Sequence, residues 1–235
     1  MLSQGNRKGF EIFIQSEEGE NRLKEYKVQH AKGKFPTSQC FVEVIPAPFS
    51  IHAIKHDDLN ITESDWRCVY HIDGQYIAEY ALLRESDSNC VDEIYEEEDG
   101  ELYGRNLQFI PAKTTDEPKN IHAGSKNLDH IGNIQITIFR GVYKEVSVDL
   151  YDESKIETCT LDEKQGKMAY TVGATERHLV EVPEVPSFTW TPSKAKNVNF
   201  YRFIFKYRTH VELVKLGLKG KILLKHYFLF VTWTN

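Results

Sequence analysis

The sequence predicts an all-β protein: mainly an antiparallel β-sandwich, with one short C-terminal helix and long polar loops. Three observations predict it. Short segments with apolar residues at every second position recur along the chain, the period of a half-buried strand. These segments are rich in β-branched and aromatic residues and are bounded by turn formers. Asp73-Gly74 stands between two of them and readily supplies the two positive φ angles of a tight hairpin turn.

The elements follow in order. In Gly9 to Gln15, Phe10, Ile12 and Ile14 share one face, which defines a first strand. Leu23 to His30 places Tyr26 and Val28 together. Cys40 to Ile45 and Phe49 to Ile54 form two apolar runs, and Pro46-Ala47-Pro48 ends one before the next begins. Trp66 to Ile72, the Asp-Gly turn and Gln75 to Leu82 make a hairpin. Asn106 to Pro111 and Ile134 to Arg140 are strands, the latter burying Ile134, Ile136 and Ile138. Gly141 is expected to bulge or break that strand before Val142 to Leu150 continues it. Phe200 to Tyr207 is a further strong strand, and Thr209 caps a short helix through Leu216 that Gly217 closes.

Other stretches are polar. Asp87 to Glu101 holds eight acidic residues in fifteen positions with no lysine or arginine, so self-repulsion predicts a loop. Lys113 to His130 is expected to be a long connection, and 181–197, with three prolines, an extended linker. The domain expected is a single β-rich unit over 1–218 with an acidic insertion at 85–105, and 219–235 as an appended apolar tail.

Forty per cent hydrophobic and 12% aromatic content suffices for a sizeable core in 235 residues. A net charge of -6 offers no basic surplus for a phosphate backbone, so nucleic-acid binding is not expected. No apolar stretch of signal-peptide length opens the chain, and Cys40, Cys68, Cys90 and Cys159 are widely spaced. Both features predict an intracellular, cytoplasmic or nuclear protein with free thiols rather than a secreted one. The 219–235 segment is too short, and too charged near its middle, to be a membrane anchor.

Five segments in order carry a resemblance: Gly9 to Ile14, Val69 to Gly74, Leu107 to Pro111, Ile131 to Arg140, and Phe203-Ile204-Phe205-Lys206-Tyr207-Arg208 with Leu213 and Leu216-Gly217. From about Gly9 to Leu218 the chain resembles a fungal family known only as a domain of unknown function. Its members open on a Gly-Phe strand and close on a Phe-Lys-Tyr-Arg motif. The resemblance implies a β-rich fold and a fungal source, and no catalytic residues.

The chemistry-bearing residues are sparse. His52, His56, Asp57 and Asp58 include metal-ligand types, yet imidazoles four apart converge on a helix and not on a strand. His71 beside the turn, and His122, His130 and His178 in polar regions, read as surface residues. No nucleophile elbow, phosphate-binding glycine loop, zincin motif or Cys-x-x-Cys occurs. No cofactor and no metal is therefore expected. In the closing strand, Phe203, Phe205 and Tyr207 alternate with Ile204, Lys206 and Arg208, a core strand with a basic outer face.

The function expected is a non-enzymatic protein-interaction module for an unknown partner. Its candidate docking surface is the acidic segment Asp92, Glu93, Glu96, Glu97, Glu98, Asp99 and Glu101. The alternative is an enzyme or small-ligand binder with a loop-assembled site. Sugar stacking on Trp66 or Trp190 is one form of that alternative.

Overall fold

The computed structural model describes residues 1–17, 21–57, 59, 61, 63–115, 130–146, 160–162, 170–180, 187–193 and 199–220. In chain order the strands are β1 (Phe10–Ser16), β2 (Tyr26–Ala31), β3 (Thr37–Glu43), β4 (Phe49–Lys55), β5 (Asp65–Ile72), β6 (Gln75–Leu82), β7 (Ser88–Val91) and β8 (Glu93–Glu98). They continue with β9 (Glu101–Pro111), β10 (Lys113–Thr115), β11 (Asn133–Val146), β12 (Thr160–Asp162), β13 (Tyr170–Ala174), β14 (His178–Leu179), β15 (Ser187–Pro192) and β16 (Asn199–Arg208). One α-helix, α1 (His210–Lys215), follows.

Seven strands form the main sheet, ordered β2-β3-β16-β11-β5-β6, with β15 pairing the far end of β11. Its pairings are antiparallel except β16 with β3, which run parallel. Sheet β1-β4-β7 and the group of β8, β9, β13 and β14 supply the facing surfaces. Alternation decides which side chains meet there. Along β16, Phe200, Tyr201, Phe203, Phe205 and Tyr207 are buried, while Arg202, Ile204, Lys206 and Arg208 are half-buried on the other face. The same rule buries Trp66, Cys68, Tyr70 and Ile72 of β5 and Ile134, Ile136 and Ile138 of β11.

Aromatic contacts join the layers. Phe10 of β1 meets Trp66 edge-on at 4.9 Å. Phe109 of β9 lies 4.4 Å from Phe49 and 5.2 Å from Tyr207. Edge-to-face and offset contacts of this kind add about 0.5–1.5 kcal/mol each beyond the area they bury.

Several expectations change. Gly141 does not break β11, which runs on unbroken and pairs Tyr143 with Trp190. A Cβ at Gly141 would stand 2.3 Å from the Trp190 ring, so the glycine admits a packed indole instead of a kink. The acidic run expected to be a loop is β7, β8 and the start of β9. Repulsion is offset there by cations from outside the run, Arg105 on Glu96 (3.3 Å) and Arg177 on Glu98. Burial of Ile94 and Leu102 anchors the hairpin. Within 181–197, residues Ser187–Pro192 pair with β11. The helix keeps its predicted start: Thr209 and Glu212 form a reciprocal capping box. The apolar stretch from 221 to 235, Cys159 and most of the 113–130 connection lie outside the described residues.

Candidate binding cleft

The half-buried face of the main sheet carries a cleft of about 460 Å³, lined by Gln39, His71, Gly74, His130, Asn133, Gln135, Arg202, Ile204 and Lys206. Strand register builds it. Gln39, Ile204, Gln135 and His71 are directly paired across β3, β16, β11 and β5, a single rank across the sheet. Arg202 and Lys206 flank that rank two residues to either side along β16, so their Cα atoms are roughly 13 Å apart at strand rise. Two carboxamides and an imidazole therefore surround an isoleucine floor, with a cation at each end.

Aromatic rings hold the cations. The Arg202 guanidinium lies 4.4 Å from the centroid of Phe35, and the Lys206 ammonium 5.8 Å from that of Phe41. Two nitrogens here are buried without a hydrogen-bond partner among the described residues: Arg202 Nε and His71 Nδ1. Burial and then the nearby Arg202 and His130 pull the His71 pKa down, which favours neutral imidazole. No carboxylate is among the described lining residues, although the chain as a whole is acidic.

Beneath the floor lies a second polar cluster with the opposite character. Asp73, held at φ 52 in the hairpin turn, is buried. Its carboxylate accepts from Tyr207 Oη at 2.6 and 2.7 Å, Thr171 Oγ1 at 2.8 Å and the Gly132 N–H at 2.7 Å. Burial raises the Asp73 pKa, while these donors oppose the rise. Tyr207 is pushed well up by its own burial and then by Asp73, so it stays a phenol and a donor. The Arg208 guanidinium caps the Gly132 carbonyl at 2.9 Å.

A second cleft of about 450 Å³ lies beside Met1, Phe13 and Val28, but Glu11 and Glu25 line it together with Arg22. Glu11 already pairs with Arg22, and Glu25 with the Met1 ammonium. That cleft is charge-matched internally.

The other sequence candidates separate. His52 stacks on Phe13 at 4.7 Å and bonds Ser50 Oγ at 2.9 Å, whereas His56 turns to Glu11 at 3.2 Å. Asp58 lies outside the described residues, and among those described no group of His, Cys, Asp and Glu has metal-binding geometry. Cys90 Sγ is 3.8 Å from His52 Nε2. Burial and then Asp92 push its thiol up to about 11, away from the thiolate a nucleophile requires. Neither cleft is lined by Ser50, His52 or Cys90. Trp66 is wholly buried and Trp190 packs on Tyr143, which takes Trp66 away as a sugar-stacking surface. His178 pairs with Glu93 at 3.3 Å. His71 and His130, read as plain surface histidines, are the two that enter the main cleft. The basic outer face of β16 was legible; its cross-strand partners were not.

The fold and cleft define an all-β protein with a cationic, polar recess on one open sheet face. Residues 11–219 match the family described as Domain of unknown function (DUF7918), and the chain belongs to that family. No curated protein matches the chain, and no solved structure does. Four of the five segments behind the resemblance meet at the Asp73 cluster: the Asp73-Gly74 turn, Gly132 before β11, Tyr207 and Arg208 of β16, and Phe109 packed on Tyr207. Among the described residues no helix is long and apolar enough to cross a membrane.

Proposed function

We propose that this protein is a non-enzymatic protein-interaction module whose main cleft receives an acidic segment of a protein partner. One observation carries the reading: Arg202 and Lys206 stand at the two ends of a recess whose described lining holds no carboxylate. A carboxylate placed between them gains charge-assisted hydrogen bonds that no group of the described lining supplies. An acidic peptide suits the recess better than a nucleic acid, because the rest of the chain is negatively charged and would repel a long polyanion. Three described cysteines, all free, support an intracellular setting. Shared aromatic packing between the layers supports one domain through residue 218.

Titration with a fluorescent glutamate-rich peptide tests this. The expected result is saturable binding that weakens with salt and falls about tenfold in Arg202→Gln or Lys206→Gln, with melting unchanged. Equal binding by the variants, or preference for an oligonucleotide over the peptide, would overturn the reading.

The acidic hairpin gives a second docking surface, Asp92, Glu93, Glu96, Glu97, Glu98, Asp99 and Glu101. The favouring observation is that Glu97, Glu98, Asp99, Gly100 and Glu101 are all exposed on an ordered turn.

A further inference from the structure

The cleft and the hairpin tip are complementary in charge and lie on different layers of the fold. The cleft occupies the half-buried outer face of the main sheet. The tip belongs to β8 and β9, whose Ile94, Leu107 and Phe109 pack into the core shared with the inner face. A contact between them is therefore a contact between copies.

Two features make the tip a suitable occupant. It has a defined turn geometry: Asp99 and Gly100 take φ of 54 and 81, the signature of a tight two-residue turn, and Glu98 pairs with Glu101 across it. Little ordering entropy is then lost on docking. It also keeps unspent charge. Glu98 is engaged by Arg177 and Glu101 accepts from Tyr103, but Glu97 and Asp99 have no ion-pair partner among the described residues. The two free carboxylates on the tip equal in number the two cations of the cleft.

Building on the cleft reading above, we infer that the occupant of the cleft is the acidic hairpin tip of a second copy of this chain. The contact is head-to-tail, with Glu97 and Asp99 of one molecule against Arg202 and Lys206 of the next. Because it joins two different surfaces, it leaves one free cleft and one free tip at the ends, and assembly grows beyond two with concentration.

Sedimentation velocity over a concentration series tests the inference with the full chain and two variants. Lys206→Glu reverses the cleft. Glu97→Lys combined with Asp99→Asn reverses the tip and keeps a turn sequence, Asn-Gly, that favours the same geometry. The wild type should associate at low salt and dissociate as salt is raised. Each variant alone should associate about tenfold more weakly. Their equimolar mixture should recover association, because each contributes the surface the other lacks. A monomeric wild type, association indifferent to both variants, or a mixture that fails to recover would overturn the inference. If Lys206→Glu lowers the melting temperature, Lys206→Gln replaces it, with a smaller loss expected in the same direction. The glutamate-rich peptide separates this inference from the functional reading. A cleft that binds the peptide while the chain stays monomeric refutes only the self-contact. A cleft that binds neither refutes both.

Discussion

Two polar clusters lie on opposite sides of the main sheet, one at the turn between β5 and β6, and they differ in how far their hydrogen bonds are satisfied. Around Asp73 the carboxylate accepts from Tyr207 of β16, Thr171 of β13 and the Gly132 N–H just before β11. On the outer face, Arg202 Nε and His71 Nδ1 stand buried with no partner among the described residues. Interiors seldom leave polar groups unpaired, so a complete network reads as structure and an incomplete one as a place for something else to bind. The same β16 serves both, with Tyr207 on one face and Lys206 on the other.

That contrast is broken most severely by Asp73→Ala. Three donors lose their acceptor inside the core, and alanine is disfavoured at positive φ, so the expected loss is about 3 kcal/mol by urea denaturation. Loss below about 1 kcal/mol would mean that the cluster is not a structural tie. The pH dependence has a defined sign. Since the folded pKa of Asp73 is raised, its contribution is fully present below the ordinary carboxyl pKa and declines as pH rises through the higher folded value.

Thr171→Val is the finer probe. It deletes one donor from a carboxylate that keeps the others, and about 1 kcal/mol of stability should go with it. The smallest effect on stability belongs to His71→Gln in the cleft. Its pKa is depressed by burial first, so its contribution to folding is present above the ordinary imidazole value and lost as pH falls through the folded one. Binding reverses the pull, because an anion beside the ring favours imidazolium. Peptide affinity should rise between about pH 8 and about pH 6 in the wild type and flatten in His71→Gln. A flat wild-type profile would remove His71 from the binding surface.

Much of the fold was legible because local rules set it. The period-two patterns placed β1, β4, β5, β6 and β16, the Asp-Gly pair placed the central hairpin, and Thr209 marked the start of α1. Charge counting failed on the acidic run for a reason outside its own residues: Arg105 and Arg177, which pair with Glu96 and Glu98, lie beyond its end. Asp73 was read as a turn residue, correctly, but nothing near it in sequence announces that Thr171 and Tyr207 will bury it. The cleft had the same invisibility. Gln39, His71, Gln135 and Ile204 become a rank only through strand pairing across long separations. A basic outer face on β16 was the one part a single segment could reveal.

The parallel seating of β16 between β3 and β11 has a consequence for biosynthesis. Residues 199–208 fill a central slot, 202–208 against residues 37–43 and 199–206 against residues 133–139, so the main sheet has a gap until they are made. Loop closure over such separations slows folding, and during translation the earlier strands must wait with the apolar inner faces of β3, β5 and β11 and two unsatisfied strand edges open to solvent. A ribosome-bound intermediate of this kind is a natural client for a holding chaperone, and a stall just before residue 199 should leave the nascent chain protease-sensitive.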